Sequence, residues 1–200
     1  MDKQMRRIAV FGAGGHGKVV IDAIERQPGL AVACVADDHP QAGARLLGHD
    51  VVGGREALLA RRAEFDAAIV AIGDNRARGE VARWLAVQGI PLAVVVHPAA
   101  AVAPSAVLGE GTLVMPGAVV NADARIGANA IVNTGAIVEH DCLVGACVHV
   151  APRAVLCGGA MVGEGCLVGA GAVVLPGVKI GAGMLVKAGT VAARDMEAGS

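Results

Sequence analysis

The sequence predicts two parts: a small parallel α/β domain over residues 1–97 and a parallel β-helix over residues 98–200. Three observations predict this fold class. Apolar stretches alternate with helical stretches in the first half. A glycine-rich turn follows the first apolar stretch, and aliphatic residues recur at every sixth position of the second half. The six-residue repeat is the strongest of these signals.

Every sixth residue of the second half is Val, Leu or Ile, without interruption. The positions are Val102, Leu108, Val114, Val120, Ile126, Val132, Val138, Val144, Val150, Leu156, Val162, Val168, Val174, Ile180 and Val186. A period of six fits neither a helix nor an alternating strand, but it fits a parallel β-helix of short stacked strands. The aliphatic side chains are expected to point inward and to stack at about 4.8 Å. A disordered Val/Gly-rich tract is excluded because the register never slips.

Small residues occupy a second position of most repeats, four residues after the aliphatic one. Examples are Ala106, Ala118, Ala130, Ala154 and Ala172. Gly often follows the aliphatic residue directly, at Gly109, Gly127, Gly145, Gly163, Gly169 and Gly181. Small side chains fit the corners of narrow coils, and we expect Gly to accommodate turns with unusual dihedral angles.

The repeat resembles that of the hexapeptide acyltransferases. The segment from Leu108 to Leu113, Leu-Gly-Glu-Gly-Thr-Leu, follows their [LIV]-G-x-x-x-x pattern, and the resemblance covers about residues 100–192. It implies a left-handed β-helix with three hexapeptides in each coil. Members of that family are usually homotrimers, with acetyl-CoA between adjacent helices.

Composition and charge exclude several classes of protein. The net charge is −1, whereas nucleic-acid binding needs a basic surface that neutralises phosphates. The five cysteines have no metal-binding or redox-pair spacing, which indicates reduced thiols in a cytoplasmic protein. The first residues contain too short an apolar run for a signal peptide. The long uncharged stretch at residues 89–109 contains three prolines, so no membrane insertion is expected.

Strands and helices alternate in the first half. Strands are predicted at residues 7–11, 31–35, 66–72 and 92–96, and helices at residues 18–27, 56–62 and 76–88. This alternation predicts a parallel sheet with helical connections.

Gly12, Gly14 and Gly17 satisfy the G-x-G-x-x-G nucleotide-binding fingerprint, and Asp37 follows about twenty residues on. A full dinucleotide domain needs two mononucleotide halves, and the chain before the repeat has room for one. We therefore expect a half-Rossmann-like site for one nucleotide. Phosphate would lie near the helix N-terminus, with Asp37 or Asp38 on the base or ribose. The alternative is a purely structural tight turn.

The whole chain resembles one group of bacterial sugar acetyltransferases. The resemblance rests on the segment Gly12-Ala-Gly-Gly-His-Gly17 and on the His97-Pro98 junction to the repeat. The group includes UDP-4-amino-sugar N-acetyltransferases of the bacillosamine pathway, GDP-perosamine N-acetyltransferases and sialic acid O-acetyltransferases. The resemblance implies that the N-terminal domain holds a nucleotide sugar through Gly14, Gly15, His16, Asp37, Asp38 and Gly73.

The densest polar cluster of the repeat surrounds His140. Acyl transfer from a thioester to an amine needs a base, because an ammonium ion is not nucleophilic, and neutral imidazole suits that role. A carboxylate on the second ring nitrogen would fix the tautomer. Glu139 and Asp141 flank His140, and spacing alone does not choose between them. The alternative for His140 is a surface residue on a turn.

The segment from Asn133 to Cys142 resembles the motif of the same acetyltransferases. The resemblance implies that His140 is the general base, that Asp141 supports it and that Gly158 offers a backbone amide to the oxyanion. It also implies contacts with acetyl-CoA at His149, Ala170 and Ala188. The chain lacks the Gly-Val-Pro-Ala-Lys-like segment that usually follows, so the last part of the CoA site is not predicted.

Three other functions share parts of this pattern. A γ-class carbonic anhydrase needs three His ligands on the helix, but only His140 and His149 lie in the repeat and His97 is a remote third, so no metal is expected. The cluster around His140 disfavours a non-catalytic assembly module, and the half-sized nucleotide domain disfavours an NAD-dependent enzyme. The sugar, its nucleotide, the acyl-chain length and N- or O-acetylation remain open.

Overall fold

Two units make up the chain, Met1–Val96 and His97–Ser200. The structure is a computed structural model, and it describes residues 5–39 and 44–197. No helix in these two ranges is both long enough and apolar enough to cross a membrane.

The first unit contains a parallel three-stranded sheet, whose strands lie in the order Leu30–Ala36, Arg6–Phe11, Ala67–Val70. Its elements are β1 (Arg6–Phe11), α1 (Gly15–Arg26), β2 (Leu30–Ala36), β3 (Arg45–Leu46), β4 (His49–Asp50), α2 (Arg55–Ala60), a 3-10 turn (Arg62–Glu64), β5 (Ala67–Val70), α3 (Asn75–Val87) and β6 (Val95–Val96). Helix α1 buries one apolar face that includes Val20, Ile21 and Ile24. The unit therefore has its own apolar core.

The predicted alternation of strands and helices is confirmed, with differences at some boundaries. Helix α1 begins three residues earlier than predicted, because Gly14 is its N-cap residue. The antiparallel pair of β3 and β4 was not predicted. The predicted fourth strand is shorter, since Leu92 forms only an isolated bridge to Ala68 before β6 begins.

The second unit is a left-handed parallel β-helix of about five coils, as predicted. Its strands, numbered β7 to β22 in chain order, form three faces. The first face contains β7 (Ala101–Val102), β10 (Val119–Val120), β13 (Ile137–Val138), β16 (Val155–Leu156), β19 (Val173–Val174) and β22 (Val191–Ala192). The second contains β8 (Val107–Leu108), β11 (Arg125–Ile126), β14 (Leu143–Val144), β17 (Met161–Val162) and β20 (Lys179–Ile180). The third contains β9 (Leu113–Val114), β12 (Ile131–Val132), β15 (His149–Val150), β18 (Leu167–Val168) and β21 (Leu185–Val186).

The aliphatic repeat forms the core of the β-helix. Ile126 pairs with Val144 one coil later, and every face keeps this register. All fifteen repeat positions except Val102 and Leu108 are buried. Each buried aliphatic side chain contributes roughly 1.5–3 kcal/mol before chain entropy is subtracted. The stacked aliphatic side chains therefore hold adjacent coils together.

The expected role of the glycines that follow the aliphatic residue is wrong. Gly109 and Gly145 do not have positive φ; instead, their Cα atoms lie against the next coil. A Cβ at Gly109 would lie 2.5 Å from the backbone nitrogen of Ala128. The positive φ falls two residues later in the hexapeptides from Leu108 onward, for example at Gly111. These glycines are therefore required by close coil packing, and a different residue makes the turn.

Candidate active site

His140 and Asp141 form a hydrogen-bonded pair at the first corner of the β-helix, which joins the first face to the second. Nδ1 of His140 lies 2.8 Å from Oδ2 of Asp141, and both side chains are exposed. Asp141 has φ +59° and donates its N–H to the carbonyl of Ala122, one coil earlier, at 3.1 Å. Asp tolerates this left-handed conformation better than most residues. With Nδ1–H donated to a carboxylate, the lone pair of Nε2 is available to accept a proton.

The carboxylates around His140 raise its pKa above the ordinary value of 6.5. The hydrogen bond to Asp141 is the largest cause; slight desolvation opposes it, and the charges of Asp141 and Glu139 add to it. A raised pKa makes the neutral imidazole a stronger base, but it also keeps more of the imidazole protonated near neutral pH. The basic form therefore accumulates as the pH rises through the raised pKa.

Of the two carboxylates that flank His140, Asp141 is the one hydrogen-bonded to it. The Glu139 carboxylate instead accepts a hydrogen bond from Nδ2 of Asn121, one coil earlier, at 2.9 Å. Asn121 was not singled out in the sequence. Its position exactly one coil length of eighteen residues before Glu139 would have been the signal, because such residues stack in this fold.

Gly158 lies beside the imidazole ring, one coil after His140. The N–H of the next residue, Gly159, donates to the carbonyl oxygen of His140 at 2.9 Å. A Cβ at Gly158 would lie 2.7 Å from both Cε1 and Nε2 of His140. The structure thus brings together four of the predicted site residues at the first corner: Glu139, His140, Asp141 and Gly158.

His149 lies on the third face and forms a second polar group with Asn133. Nδ2 of Asn133 is 2.9 Å from Nε2 of His149, while Oδ1 of Asn133 accepts the N–H of Thr134 at 2.8 Å. The backbone bond fixes the orientation of the amide, so its NH2 group faces His149. Nε2 of His149 is therefore an acceptor in this pair.

The third corner, which joins the third face to the first, carries Ala170 and Ala188. Both are exposed, and the N–H of Gly189 donates to the carbonyl oxygen of Ala170 at 2.9 Å. In a three-sided coil, the first corner lies opposite the third face. Within one chain, the structure therefore separates His149 from His140, and it places Ala170 and Ala188 at a different corner from both His140 and Gly158.

The glycine fingerprint of the first unit combines close packing with an open surface. A Cβ at Gly12 would lie 2.7 Å from the carbonyl oxygen of Ala71, and a Cβ at Gly17 would clash with the carbonyl oxygen of Gly12. Gly14 and Gly15, in contrast, have no atom within 4 Å of the Cβ position. This division matches the fingerprint, in which some glycines permit packing and others let a ligand approach the backbone.

Asp37 and Asp38, at the end of β2, have different partners. Oδ2 of Asp37 accepts the N–H of Ala13 at 2.7 Å, and Oδ1 accepts the N–H of His39 at 2.8 Å. Asp38 forms an ion pair with Arg55 at 3.0 Å. Asp37 therefore connects the glycine-rich turn to the end of β2. Both residues lie at the carboxyl end of the parallel strands, where open α/β sheets bind ligands.

A cleft of about 480 Å³ opens beside this turn and is lined by Ala13, Gly14, Gly15, Lys18, Asp37 and other residues. His16, in the first turn of α1, is half-buried. Gly73 follows β5 and has open space at its Cβ position. The carbonyl oxygen of Gly73 accepts a hydrogen bond from buried Arg78 at 3.1 Å, a residue that the sequence analysis missed. The predicted substrate-binding residues therefore lie at the carboxyl ends of three strands of one sheet.

Within residues 5–39 and 44–197, no group of three or more His, Cys, Asp or Glu side chains could hold a metal ion.

Three family models match the chain. The PglD N-terminal domain matches residues 7–85, the bacterial transferase hexapeptide with six repeats matches residues 105–140, and the hexapeptide repeat of succinyl-transferase matches residues 159–192.

Solved structures of similar proteins extend over almost the whole chain. A variant of perosamine N-acetyltransferase from Caulobacter crescentus, in complex with CoA and GDP-perosamine, is 44% identical with a TM-score of 0.88, over 94% of this chain and 89% of its own. The acetyltransferase domain of PglB from Neisseria gonorrhoeae FA1090, in complex with acetyl coenzyme A, is 36% identical with a TM-score of 0.89, over 96% and 93%.

A curated relative is the UDP-N-acetylbacillosamine N-acetyltransferase of Bacillus subtilis (strain 168), 38% identical over 120 residues. The match covers 56% of this chain and 52% of that relative, so it spans about half the relative's length. The fold, the matched models and these relatives define a hexapeptide-repeat acyltransferase. Within that class, the chain belongs to the acetyltransferase family that joins a PglD-type N-terminal domain to a hexapeptide-repeat β-helix.

Proposed function

We propose that this protein transfers the acetyl group of acetyl-CoA to the amino group of a nucleotide-linked sugar of the 4-amino-4,6-dideoxy type. The observation that carries the proposal is the pair of His140 and Asp141, which leaves Nε2 available as a base within this family. The relatives include N-acetyltransferases with CoA and GDP-perosamine bound, and one named for UDP-N-acetylbacillosamine. The alternative reaction is O-acetylation of a sugar hydroxyl.

In the proposed reaction, Nε2 of His140 accepts a proton from the sugar amine as its nitrogen attacks the thioester carbonyl. The carboxylate of Asp141 stabilises the imidazolium that forms. Gly158 lies beside the ring, and we propose that its N–H donates to the oxyanion. Collapse of the tetrahedral intermediate breaks the carbon–sulfur bond, and the imidazolium returns the proton to the CoA sulfur. The products are an amide and free CoA.

The nucleotide sugar is proposed to bind the first unit. Gly14 and Gly15 leave the backbone open to phosphate at the N-terminus of α1. Asp37 fixes the turn through the N–H of Ala13, and each of its oxygens has a second lone pair for a ribose or base. His16, Asp38 and Gly73 surround the same strand ends.

Acetyl-CoA is proposed to bind along the third face and third corner, where His149, Ala170 and Ala188 lie. Lys187 is exposed at that corner and offers a positive charge to the CoA phosphates. The first corner lies opposite the third face, which favours a CoA site and a catalytic His140 that come from different chains. We therefore propose a homotrimer with sites shared between neighbours.

The second face offers further support for association between copies. Leu143 and Met161 are exposed there, in a cleft of about 450 Å³ whose ends carry Arg125 and Lys179. Exposed apolar patches of this kind mark protein contacts. Acetyl-CoA and nucleotide sugars are made in the cytoplasm, and we propose that compartment for the protein.

The test is release of free CoA thiol from acetyl-CoA with a panel of UDP- and GDP-linked sugars. Each amino sugar is paired with its hydroxyl counterpart and with free sialic acid as an O-acetylation control. We expect thiol release with one or more amino sugars and a product heavier by one acetyl group, with an amide in its NMR spectrum. Ester products, or thiol release that no amino sugar stimulates, would contradict N-acetylation.

A further inference from the structure

The first corner contains a hydrogen bond that the proposed reaction does not use. Nδ2 of Asn121 donates to Oε2 of Glu139 at 2.9 Å, and both side chains are half-buried. Within the described part of the chain, this is the only hydrogen bond of the Glu139 carboxylate. Glu139 precedes His140, yet it makes no hydrogen bond to the imidazole.

The carboxylates of Asp141 and Glu139 both lie next to His140 in the sequence, but they are held in different ways. Asp141 is fixed by its left-handed backbone and by its N–H bond to the coil below. Glu139 has a longer side chain with more rotamers, so its position depends on what holds its carboxylate. Asn121 is the residue that does so. A neutral amide can hold a carboxylate without adding a charge of its own.

We propose that Asn121 is a positioning residue for the base. It holds Glu139 away from the imidazole, so that Asp141 alone occupies Nδ1 and Nε2 of His140 stays open to the sugar amine. The assignment of His140 as base rests on the proposed function. The position of Glu139 does not depend on the proposed function, because it is given by the hydrogen bond from Asn121.

Few other groups near His140 could produce the same effect on its imidazole. The charged groups that act on His140 are Asp141 and Glu139, while Gly158 covers the ring from the coil above. The charge of Glu139 also helps to raise the pKa of the Cys142 thiol, after burial as the main cause. If Glu139 were released, we expect its carboxylate to move toward the imidazolium of His140, the next residue along the chain. A carboxylate that moves closer raises the pKa of a histidine.

The experiment measures the titration of His140 in the ligand-free protein, from its imidazole C–H signals by NMR. These signals are assigned by their loss in His140→Gln. Asn121→Ala and the isosteric Asn121→Asp should each raise the midpoint by about half a pH unit or more, because Glu139 is released or repelled. Asp123→Asn is the matched control: it removes a nearby charge that does not act on His140, and no shift is expected.

A second pair of variants distinguishes the positioning of Glu139 from a general disturbance of the structure. In a Glu139→Gln background, Asn121→Ala should no longer shift the midpoint. Asn121→Asp with Glu139→Gln exchanges the amide and the carboxylate, restores one hydrogen bond and should return the midpoint toward that of the wild type. An unchanged midpoint in both Asn121 variants, or a shift that persists without Glu139, would overturn the proposal.

Turnover gives an independent measurement. With an active sugar, Asn121→Ala should lower kcat about tenfold and move the acidic limb of the pH profile upward, because Nε2 is partly captured. If no sugar is acetylated but the NMR shifts occur, the proposed function fails and the role of Asn121 in placing Glu139 stands. If acetylation occurs but the NMR shifts do not, the proposed function stands and the role of Asn121 in placing Glu139 fails.

Discussion

The Cα of Gly158 lies so close to the ring of His140 that any side chain at residue 158 would displace the imidazole. Gly158 does not have positive φ, so its backbone permits Ala. In Gly158→Ala the added methyl group would meet only the side chain of His140 at short distance, and that side chain can rotate away. We therefore expect a folded protein with an unchanged melting temperature and kcat lowered about 10–100-fold.

The control for this prediction is Gly158→Ala in a His140→Ala background, where it should not lower kcat any further. A much lower melting temperature in Gly158→Ala would mean that the glycine is needed for coil packing, as at Gly109. Full activity would mean that the ring does not act in the position observed.

Asp141→Asn tests which carboxylate supports the base. The pKa of His140 is raised chiefly by the hydrogen bond to Asp141, so an uncharged partner should lower it. Because the neutral base exists above that pKa, the acidic limb of kcat/KM against pH should move to lower pH, while the plateau falls about tenfold. Glu139→Gln should move the limb less, since Glu139 acts by charge alone. If only Glu139→Gln moves it, Asp141 is the wrong carboxylate.

Changes at the end of β2 should affect one substrate and spare the other. Asp37→Ala removes the acceptor for the N–H groups of Ala13 and His39, so we expect KM for the nucleotide sugar to rise about tenfold or more. Asp38→Ala breaks one exposed ion pair with Arg55 and should have a smaller effect, and the double variant should have the largest. KM for acetyl-CoA should not change. Equal effects on both KM values would contradict the proposed division of sites.

Hybrid trimers test whether each site is shared. A composite site needs His140 from one subunit and His149 from its neighbour, so inactive His140→Ala and His149→Ala subunits should restore one another. With random mixing, about a quarter of the sites would be intact. A double variant carrying both changes, mixed with the wild type, is the matched control for subunit exchange. Hybrids no more active than either parent, or full activity from a 19.9 kDa monomer in light scattering, would contradict the shared site.

The repeat made the β-helix predictable, because one periodicity specifies strand position, core position and coil length together. The separation of His140 from His149 follows from the same period. Nine residues are half a coil, so the two histidines lie on opposite sides. Proximity in sequence is a poor guide to proximity in a solenoid, whereas a spacing of eighteen residues is a good one.

The candidate site depends on details that the sequence pattern does not contain. Whether Asp141 or Glu139 faces the imidazole is decided by a left-handed backbone at residue 141 and by the amide of Asn121. The role of Asp37 was incompletely predicted for a similar reason. Fingerprint spacing predicts an acid at the end of β2, but not that both its oxygens already accept backbone N–H groups.

The rate of acetyl transfer by His140→Ala tests the central claim most directly. The side chain is exposed, so its removal should leave the oligomer and the melting temperature unchanged. With saturating acetyl-CoA and an active nucleotide amino sugar, we expect kcat to fall ~10²–10⁴-fold, because no base then accepts the proton that the amine loses as it attacks. Turnover within about tenfold of the wild type, in a protein of unchanged assembly, would show that His140 is not the general base.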